Sequence, residues 1–134
     1  MSIKLEGLDN VIKELKGLEK DITPALQKCC ALVEASAKEL APKGTGELRR
    51  SITSTVANNE GIVYTPLLYA PYIEYGTGLF AENGGRQDVP WKYKDDDGTW
   101  YTTYGMHPHP YMRPALNKNK KKIIELIKEG IING

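Results

Sequence analysis

At 134 residues the chain suits one domain, since that length buries enough surface for a core without staples and seldom supports two. Hydrophobic residues make up 40% and charged residues 26%, which excludes a disordered chain, and no apolar run approaches the roughly 20 residues that cross a bilayer. The net charge of +1 conceals a partition: residues 1–50 hold nine basic and eight acidic groups, residues 51–112 three and seven, and residues 113–134 six and two.

A subunit polarised in this way can meet copies of itself with unlike charges facing, which steers association without a foreign partner. Residues 1–10 lack the basic-then-apolar pattern of a secretory signal, so the chain is expected to stay in the cytoplasm that makes it. Cys29 and Cys30 are adjacent in a helical pattern, where neighbouring side chains diverge. An internal disulfide is therefore unattractive, and both read as small buried hydrophobes.

Leu5, Leu8, Ile12, Leu15 and Leu18 stand at helical spacing and predict a short amphipathic helix over residues 9–19, capped by Asp9 or Asn10 and weakened by Gly17. A stronger stripe follows in Ile22, Leu26, Cys29, Val33, Ala37 and Leu40, with Lys28, Glu34, Lys38 and Glu39 turned away. Thr23 is the expected cap and Pro24 the first helical residue. Pro42, Gly44 and Gly46 stop the helix near Leu40.

Residues 51–57 are β-branched and alternating, residues 61–65 give a second extended run, and Asn58, Asn59, Glu60 and Gly61 read as the hairpin turn between them. Residues 69–75 fit either a strand or a helical turn before Gly76, Thr77 and Gly78. Residues 79–90 are too polar and glycine-rich to bury much and read as an exposed, mobile loop. Residues 91–94 and 99–103 then form a projecting hairpin around Asp95, Asp96, Asp97 and Gly98, so the mobile arm spans residues 79–104. Met112, Ala115, Leu116, Asn119, Ile123, Leu126, Ile127 and Ile131 mark a long C-terminal helix, with Pro114 in its first turn and Gly130 near its end. The expected fold is a single α+β domain over residues 1–134. Two N-terminal helices and the long C-terminal helix pack on a small, mainly antiparallel β-sheet, with Leu26, Val33, Leu40, Ile123 and Ile127 buried as facing stripes.

Three blocks occur in order: Ala41-Pro42-Lys43-Gly44-Thr45-Gly46-Glu47-Leu48-Arg49-Arg50-Ser51-Ile52, then Tyr69-Ala70-Pro71-Tyr72-Ile73-Glu74-Tyr75-Gly76-Thr77-Gly78, then Pro108-His109-Pro110-Tyr111-Met112-Arg113-Pro114-Ala115-Leu116. With the opening Ile3-Lys4-Leu5-Glu6-Gly7-Leu8, they make the chain resemble the HK97 gp10-like family of phage morphogenesis proteins over nearly its whole length. The resemblance implies a tail-completion or head-tail joining subunit that forms a ring at the tail end or neck of the virion. Its partners would be other tail or neck proteins and copies of itself, and its location the virion, reached from the host cytoplasm. It also implies no catalysis, no cofactor and no metal.

The motifs have physical readings of their own. Leu48 and Ile52 are expected to bury where helix meets sheet, leaving Arg49 and Arg50 exposed, either solvated or clamping a neighbour's carboxylate, for which Glu74 is the nominated partner. Tyr69, Tyr72 and Tyr75 serve either an interface centre or core packing. Gly76 and Gly78 read as positions of positive φ or close backbone approach, since Gly76-Thr77-Gly78 is too short for a phosphate loop. The candidate interface thus comprises Arg49, Arg50, Tyr69, Tyr72, Glu74, Tyr75, Trp91, Tyr93, Trp100, Tyr101 and Arg113.

Catalytic and metal readings are weaker. His107 and His109 flank Pro108 at a spacing that fits no zinc pattern, and the three aspartates lack the alternating ligands and distal Glu of a calcium loop. Neither cysteine sits in a nucleophilic setting. The alternative from a different class is a nucleic-acid-binding accessory protein using Lys118, Lys120, Lys121 and Lys122, which the acidic middle segment opposes.

Overall fold

A computed structural model describes residues 1–4, 21–82, 84–85 and 88–133 of the chain. The helix expected over residues 9–19 lies outside the described residues.

Prolines bracket the first described helix, α1 (Thr23–Leu40): Pro24 stands in its first turn, where no amide hydrogen is missed, and Pro42 forbids its continuation. Its start differs from expectation. Ile22 occupies the cap position, Thr23 is already helical, and Asp21 Oδ1 accepts the Thr23 amide hydrogen at 2.9 Å, so the cap falls to the carboxylate two residues earlier. Ala25, Leu26, Cys29, Cys30, Val33, Ser36 and Ala37 are its buried face. Leu40, expected in that face, is 40% exposed. It is the helix's last residue, and the chain turns extended at Ala41, which is buried instead.

A five-residue helix, α2 (Glu47–Ser51), follows and takes Ser51 out of the expected strand. Leu48 and Ile52 are buried, as expected of their place between helix and sheet. Strands β1 (Ser2–Lys4), β2 (Thr53–Ala57) and β3 (Glu60–Tyr64) form an antiparallel sheet in the order β1-β3-β2. The β2–β3 turn is tighter than expected. Ala57 pairs with Glu60, leaving Asn58 and Asn59 as a two-residue loop with φ of 53° and 58°. That left-handed geometry matches the twist of the strands, and asparagine is among the few residues that tolerate it.

The last helix, α4 (Met112–Asn133), runs 22 residues, about 33 Å at 1.5 Å per residue. It passes antiparallel to α1, with Gly130 against Ala25, Ile123 beside Cys29 and Asn119 bonded to Ser36. Gly130 lies near the helix end, as expected. A Cβ there would stand 2.7 Å from the Ala25 Cβ, so it also lets the two backbones approach. Met112, Ala115, Asn119, Ile123, Ile127 and Ile131 are buried along one stripe.

These elements belong to a first compact unit, Met1–Leu67 with Tyr111–Gly134. The second unit is Leu68–Pro110. It holds helix α3 (Ala70–Tyr75), a single 3-10 turn (Gly78–Phe80), and strands β4 (Trp91–Lys94) and β5 (Trp100–Thr103), paired as an antiparallel hairpin. Of residues 69–75, for which strand and helix both fitted, 70–75 are helical and Tyr69 caps them. Among the described residues, four α-helices and two small antiparallel sheets make the α+β class that the sequence predicted.

Candidate interaction surface

The candidate residues of the first unit sit on helices. In α2, Arg50 is exposed and its Nη1 donates to the Thr45 carbonyl at 3.3 Å. Arg49 is half-buried, against the expectation of full exposure, and its Nε has no hydrogen-bond partner among the described residues. A short helix held down by Leu48 and Ile52 turns part of the Arg49 stem inward. Arg113 is half-buried in the first turn of α4. Lys118, Lys120, Lys121 and Lys122 all face solvent, and Lys122 Nζ lies 4.0 Å from Glu125 Oε2.

The second unit carries the aromatic candidates. Tyr69 and Tyr72 are exposed at 37% and 58%, and Tyr75 is half-buried. Glu74, one residue from Tyr75, is fully buried. The helical geometry explains the contrast, because successive residues point about 100° apart. Glu74 therefore offers no surface carboxylate for a neighbour's arginines in this conformation.

On the hairpin, Tyr93 pairs with Tyr101 and their rings stack, with centroids 5.4 Å apart. Trp91 lies on the same face, since side chains alternate along each strand. The opposite face carries Lys92, Lys94, Trp100 and Thr102, with Lys94 Nζ 6.0 Å from the Trp100 ring. Tyr93, Trp100 and Tyr101 are 47%, 64% and 44% exposed. The candidate residues did not include Leu68, Leu79, Tyr104 and Met106, which are also open to solvent, Leu79 and Tyr104 within the arm expected over residues 79–104. The available signal was their position outside any periodic stripe, where nothing calls for burial.

The turn of the hairpin is organised by Asp95. Its Oδ1 accepts the amide hydrogens of Asp97 at 3.0 Å and Thr99 at 2.9 Å. The Thr99 amide, followed by the Tyr101 hydroxyl and the Asp97 and Gly98 amides, holds this carboxyl below its usual range. Asp95 is thus a turn-former, as expected for the triple aspartate, and among the described residues no cluster of three His, Cys, Asp or Glu could hold a metal ion.

Gly76, Thr77 and Gly78 lie alongside residues 104–106. The Thr77 amide donates to the Met106 carbonyl at 2.9 Å, the Met106 amide to Thr77 Oγ1 at 2.9 Å, and the Leu79 amide to the Tyr104 carbonyl at 2.8 Å. Gly76 has φ of 82°, and a Cβ there would stand 2.9 Å from the Met106 carbonyl oxygen. Positive φ and close backbone approach are both realised, which is the reading the residue types favoured. Beside this clasp, Tyr72, Gly76, Thr77, Gly78, Ala81, Gly85 and Trp91 line an open groove of about 360 Å³. Phe80 stacks on His107 with ring centroids 3.9 Å apart.

The thiols are buried and held protonated. Cys29 and Cys30 are free and buried, and burial, with Cys30 second, pushes the Cys29 thiol up to about 11. No helix among the described residues is long and apolar enough to cross a membrane.

A family model for a bacteriophage HK97-gp10 tail component matches residues 6–76, just over half of the chain. No curated protein and no solved structure matches it. The matched stretch contains the first of the three sequence blocks and the second up to Gly76, while the third lies beyond it. The chain belongs to the HK97-gp10-like family of bacteriophage tail components.

Proposed function

We propose that this tail component is a structural adaptor that forms a ring at the tail end or neck of the virion and joins tail to head, without catalysis. The observation that carries the reading is the number of solvent-exposed aromatic side chains in the second unit, with Tyr72, Tyr93, Trp100, Tyr101 and Tyr104 all more than 40% exposed. Large amphipathic side chains in such number serve protein interfaces, where they bury much area at little conformational cost. The partition of charge supports self-association, because an acidic middle segment and a basic last helix attract between copies. Its partners are other tail or neck proteins and further copies of the chain, met in the host cytoplasm before incorporation into the virion.

Electron microscopy of the concentrated protein at low salt, with and without tail components, tests the ring, and rings that dissolve as salt rises are expected. A phage lacking this gene should accumulate DNA-filled heads and unattached tails, and normal infectious yield would overturn the adaptor reading. The nucleic-acid alternative draws on the four exposed lysines of α4. It predicts duplex DNA binding that falls steeply with salt in a fluorescence assay, whereas the adaptor reading predicts none.

A further inference from the structure

Each of the two sheets ends in two outer strands, and those four edges are not alike. The outer edges are β1 and β2 in the first unit, and β4 and β5 in the hairpin. Strand β1 includes Lys4, and β4 includes Lys92 and Lys94, the charged residues that commonly block unwanted edge pairing. Strand β2, Thr-Ser-Thr-Val-Ala, and strand β5, Trp-Tyr-Thr-Thr, carry no charge and no proline. Their registers against β3 and β4 run without a bulge. Among the described residues, nothing bonds to the outer side of either strand.

We propose that β5 of one copy adds to the free edge of β2 in the next, so that the hairpin of each subunit extends the sheet of its neighbour. The inference rests on the ring reading and names the contact that closes it. Three observations select this pairing. The two unguarded edges lie in different units of the chain, and pairing unlike edges is heterologous, so it propagates into a ring where self-pairing of β2 or of β5 would stop at two. The side chains are complementary: small Thr53, Ser54 and Thr55 on one edge leave room for exposed Trp100 and Tyr101 on the other, and aromatic against β-branched is a favourable cross-strand combination. A two-stranded hairpin is also only marginally stable alone, so it gains most from a third strand.

Single charges on the two edges test this in the full chain. Thr55→Lys and Thr102→Glu are at exposed positions, and Thr102→Glu faces Lys92 across the hairpin, so the fold should survive, as circular dichroism would verify. Each single substitution is expected to abolish self-association in sedimentation and rings in electron microscopy, and to lower infectious yield. The combined Thr55→Lys/Thr102→Glu chain, with opposite charges facing, is expected to restore them. Rings that persist in both single variants overturn the edge pairing and leave the ring reading standing. Loss with Thr55→Lys alone, unchanged by Thr102→Glu, overturns it in favour of β2 pairing with itself. Where wild-type protein stays monomeric, infectious yield decides by the same pattern: full yield in both single variants, or no rescue in the combined one, overturns the proposal.

Discussion

The Cys29 thiol has no solvent exposure, and its Sγ lies 3.8 Å from the Ile123 carbonyl oxygen, so ionising it means placing a thiolate between two helices. Its value of about 11 exceeds the ordinary 9.0, and a group whose folded value is raised supports the fold fully below the unfolded value and loses that support as pH climbs through the folded one. The melting temperature should therefore fall between about pH 9 and about pH 11 more steeply in the native chain than in Cys29→Ala, and equal slopes would exclude Cys29 as the cause. Asn119 makes a second internal commitment: its Nδ2 donates to Ser36 Oγ at 2.9 Å and to the Ala115 carbonyl at 2.7 Å, all buried. A buried polar pair between two apolar helix faces favours one register, because any slip breaks the Asn119–Ser36 bond while the Asn119 bond to Ala115 in its own helix stays. Asn119→Ala should cost about 1–3 kcal/mol in urea unfolding. Asn119 was legible as a member of the C-terminal stripe. Its partner was not, since Ser36 falls outside the apolar pattern and pairing between helices leaves no trace in either sequence alone.

Elements with punctuation at both ends could be read closely, as α1 shows between Pro24 and Pro42, and so could those with a turn signal, such as the two hairpins. Failures came where one residue type serves two purposes. Gly130, read only as lying near the end of α4, is also a close-contact residue against α1, and Ser51 continues a β-branched run although five residues of helix claim it first. A helix that short has too few turns to show periodicity. The β4–β5 hairpin tests how far one turn residue supports an element. Asp95 holds its carboxyl below the ordinary 3.8 through the Thr99 amide first, so its contribution is present above the unfolded value and is lost as pH falls through the lower folded value. Nuclear Overhauser contacts between the Tyr93 and Tyr101 rings should weaken on acidification below about pH 4, and should already be weak at neutral pH in Asp95→Ala. Rings that keep their contacts in that variant would show that strand pairing alone organises the turn. Global melting should hardly change, because a solvent-exposed hairpin contributes little to the core.

On the scale of the whole molecule, the division into two units follows from which segments meet in space, and the composition of residues 60–70 shows no break. Prolines stand at positions 66, 108 and 110, near both boundaries of the second unit, and the segments of the first unit on either side of it are tied to the same residue, Met1. The Met1 amine donates to the Thr65 carbonyl at 3.2 Å, the Thr65 amide returns to the Met1 carbonyl at 3.0 Å, and the Tyr111 hydroxyl lies 3.8 Å from Met1 Sδ. Residues 65 and 111, on either side of Leu68–Pro110, therefore come close enough to share a neighbour. Segments that share a neighbour can be joined by a short connection at little entropic cost, and Val33, Ile127 and Ala115, all fully buried, belong to the first unit, while Ala70 and Glu74 are buried in the second. Replacing Leu68–Pro110 with a short glycine-serine linker should leave a protein that unfolds in one cooperative transition but has lost the aromatic surface. Supplied in place of the full chain during infection, it is expected to yield heads and tails that remain apart. A non-cooperative melt would show that the first unit depends on the second for its fold, while normal infectious yield from a folded, excised chain would remove the aromatic surface from the joining step.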